Sequence, residues 1–313
     1  MCGLKIILTG HTGFIGRELA SKLSKKYYVL GISRSKPIDE TIDYLELDLS
    51  DGVDQDVVSE IKSRMGQPDV IIHLAAYVPR TRTCRKDDYV TSMRSNVLGT
   101  LNMLAIAKKL HPKKVILAST MAVYGRVKEP ATEEEHALPL TFYGKSKLLA
   151  EVLCENFAIT YNIKCISLRF ASVYGPGMCC ELVFALFLNR ALRSEPIVVH
   201  KHMTGFERLD LVYVKDAVSA IIRSIEYSQD EVFEVFNVGA LEHITTLDLA
   251  TKIVKATGSR SPIVVVETKE VRSGPTLAIS KAASKIGWIP TYTIDAALQE
   301  ILPRWYCEDI TCK

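Results

Sequence analysis

This chain of 313 residues has no apolar run approaching the roughly 20 residues needed to cross a bilayer; the longest, residues 182–188, is far too short. No basic block stands out either. Lys and Arg total 39 against 36 Asp and Glu, a formal net charge of +3, which leaves no footprint for nucleic acid. The eight cysteines (Cys2, Cys84, Cys154, Cys165, Cys179, Cys180, Cys307 and Cys312) follow no framework spacing and read as reduced thiols of a cytosolic protein. Cys307 and Cys312 have no second ligand pair nearby, so no metal site is expected there. There are no internal repeats and no low-complexity linker. No charged segment followed by an apolar stretch opens the chain, which enters a strand directly. These absences lead to the expectation of a soluble, cytoplasmic protein without nucleic-acid or membrane partners.

What is present begins at once. An apolar strand over residues 4–9 runs into Gly10, Gly13 and Gly16, and then into an amphipathic helix. Glycines at such a turn let the backbone approach a pyrophosphate, and the helix N-terminus offers it unpaired amides and partial positive charge. In this context the pattern points to a dinucleotide-binding βαβ unit.

Short apolar runs then alternate with helical patterns. Strands are expected at 28–33, 43–49, 70–74, 114–119 and 165–170, with helices around 56–65, up to 110 and over 143–161. This alternation predicts an α/β fold: a Rossmann-type doubly wound parallel sheet buried on both faces. Beyond residue 174 the pattern is less regular, with a turn cluster at 174–177, a helix at 182–193 and short strands at 196–199 and 210–214. The expected organisation is a dinucleotide-binding domain over 1–170 and a smaller mixed α/β C-terminal substrate lobe over 171–313. A later strand near 234–238 is expected to return to the first domain.

The second strand bears on cofactor type. An acid at its end would hydrogen-bond a ribose 2′-hydroxyl, but here Ser33 and Arg34 stand there, with no acid until Asp39. A guanidinium suits a 2′-phosphate, so NADP is favoured and NAD stays open. Asp48 and Leu49, after the third strand, are placed to flank the adenine.

Tyr143 and Lys147 are four residues apart and share one helix face. A neighbouring ammonium, with the positive nicotinamide ring, is expected to lower the phenol below its usual value near 10, so that it can exchange a proton with a substrate hydroxyl. Ser119 and Thr120 end a strand, where a hydroxyl can orient the substrate oxygen.

These residues lie within the motifs TGHTGFIG (9–16), HLAA (73–76), SNVLGT (95–100), STMAVYG (119–125), YGKSK (143–147), RFASVYGPG (169–177), DLVYVKDA (210–217), FNVG (236–239) and SKAASKIGWIP (280–290). Over nearly its whole length the chain resembles the extended short-chain dehydrogenase/reductases, the NAD(P)-dependent sugar-nucleotide epimerase/dehydratase group. The resemblance implies a catalytic triad of Thr120, Tyr143 and Lys147. It implies a cofactor held by Gly10, Thr12, Gly13, Phe14, Ile15 and Gly16, by Ser33, Arg34, Asp48 and Leu49, and by Leu74, Ala75, Ala76, Phe170, Tyr143 and Lys147. It also implies that Asn96 helps to order the active-site loop, and that the chain forms a homodimer through the Asn96 and Tyr143 helices. The substrate would be a nucleoside-diphosphate sugar, met by Ser119 and Thr120, with Ser172, Arg208 and Arg272 toward its diphosphate.

The pattern is broken in places. Leu209 stands where many members carry Arg before the Asp, with Arg208 one residue earlier, and the loop 200–207 lacks the familiar glycine-rich form. His200 and His202 have no carboxylate or Cys partner at ligand spacing and read as loop residues. Arg80, Arg82, Arg85 and Lys86 follow the HLAA strand near the expected cleft mouth and read as a solvated loop. Dehydratases of this group carry Asp-Glu after the catalytic Thr and decarboxylases a Glu at the second position; Met121 and Ala122 transfer no protons. Two readings remain: a 4-epimerase acting through a transient 4-keto sugar, and an NADPH-dependent 4-ketoreductase of a nucleotide-linked deoxysugar, which Ser33 and Arg34 favour. A third, a non-catalytic NADP-binding regulator, would have no need of the intact triad.

Overall fold

Seven strands of alternating apolar residues form the central sheet of the computed structural model, which describes residues 3–36, 42–79, 88–270 and 275–305. Arg80, Arg82, Arg85, Lys86 and Arg272 lie outside the described residues, as do Cys2, Cys84, Cys307 and Cys312. The strands are β1 (Lys5–Thr9), β2 (Tyr28–Ser33), β3 (Asp43–Glu46), β4 (Val70–His73), β5 (Lys114–Thr120) and β6 (Lys164–Phe170), joined at the edge by a later strand, Phe233–Val238. All six pairings are parallel, and the order runs from Phe233–Val238 through β6, β5, β4, β1 and β2 to β3.

Alternation explains the burial. Ile6, Leu8, Ile72 and Ile116 point into one core, while Ile7, Ile71, Val115 and Leu117, their chain neighbours, point into another on the opposite face. Helices α1 (Phe14–Leu23), α2 (Gln55–Met65), α3 (Asp88–Ser92), α4 (Gly99–Leu110) and α5 (Phe142–Tyr161) follow the early strands. On α1 the buried residues Gly16, Leu19, Ala20 and Leu23 fall at a helical spacing of three and four. A π-helical turn, Met93–Leu98, joins α3 to α4.

Two backbone contacts fix the start of the fold. Gly10 has φ +71°, and a Cβ there would stand 2.6 Å from the Ala75 nitrogen. A Cβ on Gly16 would stand 2.1 Å from the Gly10 oxygen. Thus β1, α1 and the end of β4 meet backbone to backbone at the point where strand order reverses, the crevice in which open α/β sheets bind ligands.

After β6 the chain leaves the main sheet through β7 (Ser172–Tyr174), α6 (Val183–Leu192), β8 (Ile197–His202), β9 (Gly205–Phe206), β10 (Arg208–Leu209), β11 (Leu211–Tyr213) and α7 (Val214–Glu226). Strand β12 (Phe233–Val238) pairs with β6, and then come β13 (Ile244–Thr245), α8 (Thr246–Thr257), β14 (Ile263–Glu267), α9 (Ser280–Lys285) and α10 (Ile294–Trp305). A third core gathers Phe184, Phe187, Ile197, Leu249, Ile253 and Leu298, and Phe14 of α1 packs against it.

The structure differs from the sequence expectations in detail. The 43–49 strand stops at Glu46, because the Asp48 carboxylate accepts a hydrogen bond from the Ser50 amide (2.8 Å) and opens a 3-10 turn. The 174–177 turn is preceded by β7, three residues paired in parallel with β11 and too short to show a period. Cys180 is disulfide-bonded, against the reading of all the thiols as reduced, while Cys154, Cys165 and Cys179 are free. Sequence spacing carries no measure of the ~5.5 Å approach in space that a disulfide needs. No helix among the described residues is long and apolar enough to cross a membrane.

Replacing Gly16 with Ala forces a methyl onto the Gly10 carbonyl and is expected to cost about 2 kcal/mol or more in denaturant unfolding. Gly99→Ala, whose Cβ meets only Leu49 at 3.8 Å, is expected to be neutral or slightly stabilising. Equal stability of the two variants would show that the close approach is not a constraint.

Candidate active site

Two clefts open at the C-terminal ends of the main strands. The smaller, about 190 Å³, is lined by Gly10, Thr12 and Gly13 of the glycine turn, by Ser33 and Arg34 after β2, by Asp48 and Leu49, and by Leu74, Ala75 and Ala76 after β4. Gly13 caps α1 without a side-chain hydrogen bond, so the first-turn amides of Phe14, Ile15 and Gly16 have no capping side chain and suit an anionic group. Phe14 and Ile15 themselves turn to the cores, and Phe170 is buried in the main core rather than exposed in this cleft. These residues fit a dinucleotide: a turn bounded by glycines, a helix N-terminus without a capping side chain and a polar end at Ser33, Arg34 and Asp48.

Arg34 is exposed and lies 4.0 Å from Asp48, a solvent-facing pair worth at most about 1 kcal/mol. Burial acts to raise the Asp48 carboxyl, but hydrogen bonds from Ser50 and the charges of Arg34 and Arg94 bring it below its ordinary value. The Ser33 hydroxyl donates to the Ser35 carbonyl at 2.6 Å.

At the end of β5, the Thr120 hydroxyl accepts a hydrogen bond from the Ala122 amide at 3.2 Å and stands close enough to the Tyr143 phenol to influence its titration. Glycine makes that meeting possible. Helix α5 abuts the turn after β5 so closely that a Cβ on Gly144 would lie 2.4 Å from the Ala122 oxygen. Thr141 caps the helix, its hydroxyl accepting from the Gly144 amide at 3.0 Å. Tyr143 is half-buried, and Lys147, one turn on, is buried.

The electrostatics differ from the sequence expectation. Burial pushes the Tyr143 phenol up to about 12, opposed by the Thr120 hydroxyl. Burial also pulls Lys147 down to about 8, against the opposing effects of Cys154 and Glu151. The protein side chains alone therefore raise the phenol, and the lowering assigned to it from sequence requires charge beyond them. Ser119, the other hydroxyl of the pair, is buried with its oxygen unpartnered.

Sequence reasoning missed a relay beneath this site. The Ala75 amide donates to the Thr9 hydroxyl (3.2 Å), which lies 2.7 Å from His73 Nδ1. His73 Nε2 is 3.1 Å from the Thr100 hydroxyl, which donates to the Asn96 carbonyl at 2.6 Å. Since Thr100 spends its proton on Asn96, His73 carries its own on Nε2 and accepts from Thr9 at Nδ1. Burial, with the Lys147 charge adding, pulls this imidazole down to about 3, so it is neutral. Asn96 holds both backbone groups of Tyr77 (2.7 and 3.0 Å) and donates to the Ser146 hydroxyl at 2.9 Å, and Ser146 donates to the Tyr143 carbonyl at 2.8 Å. The signal in the sequence was His73 ending an apolar strand, where a titratable group has to find partners.

The larger cleft, about 950 Å³, runs from Pro79 and Met121 past Ser172 and Arg208 to α6 and β8. Arg208 is 3.8 Å from Glu129. His200 and His202 both line this cleft.

Comparison with known proteins agrees with this geometry. The model of the NAD dependent epimerase/dehydratase family matches residues 6–239. The structure is similar to UDP-glucose 4-epimerase of Thermotoga maritima, solved with UDP-glucose: TM-score 0.85, 29% identity, 97% of this chain and 99% of that one. It is also similar to UDP-glucuronic acid 4-epimerase of Bacillus cereus, solved with UDP-glucuronic acid and NAD: TM-score 0.84, 25% identity, 97% and 100%. The dTDP-4-dehydro-6-deoxyglucose reductase of Escherichia coli is 28% identical over 321 residues, 97% of this chain and 98% of that protein. By the extent of the family match, this chain belongs to the NAD-dependent epimerase/dehydratase family.

Proposed function

We propose that this chain is an NAD(P)-dependent 4-epimerase of a nucleoside-diphosphate sugar. The observation that carries the reading is the Tyr143 phenol beside the Thr120 hydroxyl, one helical turn from buried Lys147, with Met121 of the larger cleft directly after Thr120. Bound NAD(P) supplies a hydride acceptor and donor and the positive charge that favours a phenolate. Thr120 orients the C4 oxygen of the sugar, and Tyr143 takes the proton of that hydroxyl and returns it after the 4-keto sugar has turned. Lys147, cationic below its value of about 8, favours the phenolate during that exchange. Met121 lines the substrate cleft directly after Thr120 and, like Ala122, offers no acid or base for eliminating water. The epimerase relatives support inversion.

The reductase reading has one observation in its favour. Arg34 stands free enough to exchange its weak pairing with Asp48 for a 2′-phosphate, and we assign it that role in selecting NADP, although the Bacillus cereus relative was solved with NAD. We further propose a homodimer. Leu98 and Leu101 near the start of α4 and Leu149, Val152 and Ile159 on α5 are 40–65% exposed, an apolar stripe suited to a second copy.

An epimerase is expected to purify with stoichiometric NAD or NADP, identified by mass after denaturation, and to run as a dimer in light scattering. An empty protein that oxidises NADPH once per keto sugar would replace the reading with the reductase.

The value of kcat/KM is expected to fall above about pH 8, since the Lys147 charge is fully present below that value and lost as pH rises through it. Tyr143→Phe should abolish turnover at every pH with cofactor binding intact, and an unchanged alkaline limb in Lys147→Arg would refute the assignment to Lys147.

Arg34→Asp should weaken NADP by about tenfold or more while sparing NAD, measured by titration of each. Equal losses for both would remove Arg34 from cofactor selection.

A further inference from the structure

The outermost strand of the small three-stranded sheet has one edge unpaired. The strand order is β14, β8, β9, so β14 (Ile263–Glu267) pairs with β8 alone, and among the described residues no strand meets its other edge. Both faces of β14 are bare as well. Val264, Val265 and Val266 are 40%, 45% and 40% exposed, although successive side chains along a strand point to opposite faces. Only Ile263 packs against the third core. Edge strands are usually blunted by lysine, proline or a bulge, and the run from Ile263 to Val266 has none of these.

The ladder to β8 fixes which backbone groups the outer edge presents. The Ile197 amide donates to the Pro262 carbonyl and the Thr268 amide to the Lys201 carbonyl, both at 2.9 Å. Ile263 lies opposite Ile197, and Glu267 opposite Lys201. Bonded residues alternate along a parallel ladder, so Pro262, Val264, Val266 and Thr268 turn their backbone groups to β8. Those of Ile263, Val265 and Glu267 turn away from it. Pro262, which has no amide to give, therefore takes nothing from the outer edge.

This edge is complementary to itself. About a twofold axis through Val265, an antiparallel second copy exchanges both hydrogen bonds at Val265 and sets Ile263 against Glu267 twice, so all three outward residues find partners. Val264 then stands against Val266 of the second copy, a close pair of β-branched side chains. The charges agree with the antiparallel sense. Exposed Arg260 precedes the strand, and exposed Glu267, Lys269 and Glu270 at its end are two acids against one lysine, with Glu267 also 3.4 Å from Lys201. Antiparallel pairing puts Arg260 of each copy beside the acidic end of the other, whereas a parallel copy would set Arg260 beside Arg260. We propose that β14 is an interface to a second copy of this chain, which joins two three-stranded sheets into one of six strands. It is distinct from the contact on α4 and α5, and two twofold contacts on one chain carry association beyond a dimer.

The test is sedimentation equilibrium of the full chain over a concentration series, on the wild type, Val265→Lys, Leu149→Glu and the two combined. Val265→Lys places a charge on the outer edge and removes no bond of the β8 ladder. Expected is association in two steps. Val265→Lys raises the midpoint of one by about tenfold or more and Leu149→Glu removes the other, with NAD(P) affinity and the melting temperature of dilute protein unchanged. Arg260→Glu weakens the same step as Val265→Lys, and adding Glu270→Arg restores it. Failure of that exchange to restore association overturns the antiparallel register. Association that responds only to Leu149→Glu, or a chain that stays monomeric throughout, overturns the interface and leaves the edge to another occupant. Association that responds only to Val265→Lys supports the interface and removes the contact on α4 and α5.

Discussion

One buried chain of hydrogen bonds ties the two halves of the proposed chemistry together. It starts at Thr9, the last residue of β1, and passes through neutral His73 and Thr100 to Asn96. From Asn96 it reaches Ser146 and the Tyr143 carbonyl on α5. Every donor along it has an acceptor, which is what low-dielectric burial demands. It also explains the π-helical turn at Met93–Leu98. The wider turn carries buried Asn96, which grips both backbone groups of Tyr77 and the Ser146 hydroxyl at once. The glycine turn and helix α5 are thereby tied through side chains whose geometry is fixed on both sides.

A second buried network supports α5 from below. Glu151, one turn after Lys147, pairs with Arg169 of β6 at 2.7 Å and accepts the Ser167 hydroxyl at 3.1 Å. Arg169 lies over the Tyr124 ring at 4.8 Å, and the Tyr124 hydroxyl donates to Asn237 of β12 at 2.7 Å. Removing one partner of so buried a pair costs about 3–5 kcal/mol, because the other charge is left stranded. Its contribution is to hold α5 against β6 while β12, arriving from far along the chain, closes the edge of the sheet. Lys147 therefore sits between two buried networks, and desolvation is the first cause of its lowered value.

How much was legible from sequence follows from which interactions are local. The parallel sheet was legible because Ile6, Ile7 and Leu8, or Val115, Ile116 and Leu117, must each have apolar neighbours on both faces. The glycine turn was legible because backbone contact at Gly10 and Gly16 tolerates no side chain. The juxtaposition of Thr120 with Tyr143 was legible only through the family motifs, since it depends on Gly144 meeting Ala122 across a gap of 22 residues. The state of the phenol was not legible. Helical spacing put a cation near Tyr143 but was silent on burial, which raises the group by more than the Thr120 hydroxyl lowers it. Likewise the pairing of β7 with β11 and the hydrogen-bonding state of His202 arise from contacts between segments without a periodic signature.

The two clefts are built on different physical terms, and this difference bears on how specificity divides between them. At the glycine turn the groups that suit an anion are main-chain amides, which no substitution short of adding a side chain can alter. The larger cleft is lined by side chains on short strands and helix ends, such as Ser172, His200 and Arg208, whose exchange leaves the backbone in place. A chain can therefore keep one dinucleotide site and one proton-transfer group while changing the carrier nucleotide or sugar it accepts. The similarity of this chain to proteins named for UDP-sugars and for a dTDP-sugar, at 25–29% identity, is what such a division produces. Arg34 is the exception within the smaller cleft. It is a side chain, so under the role proposed for it cofactor choice rests on the same kind of interaction as substrate choice.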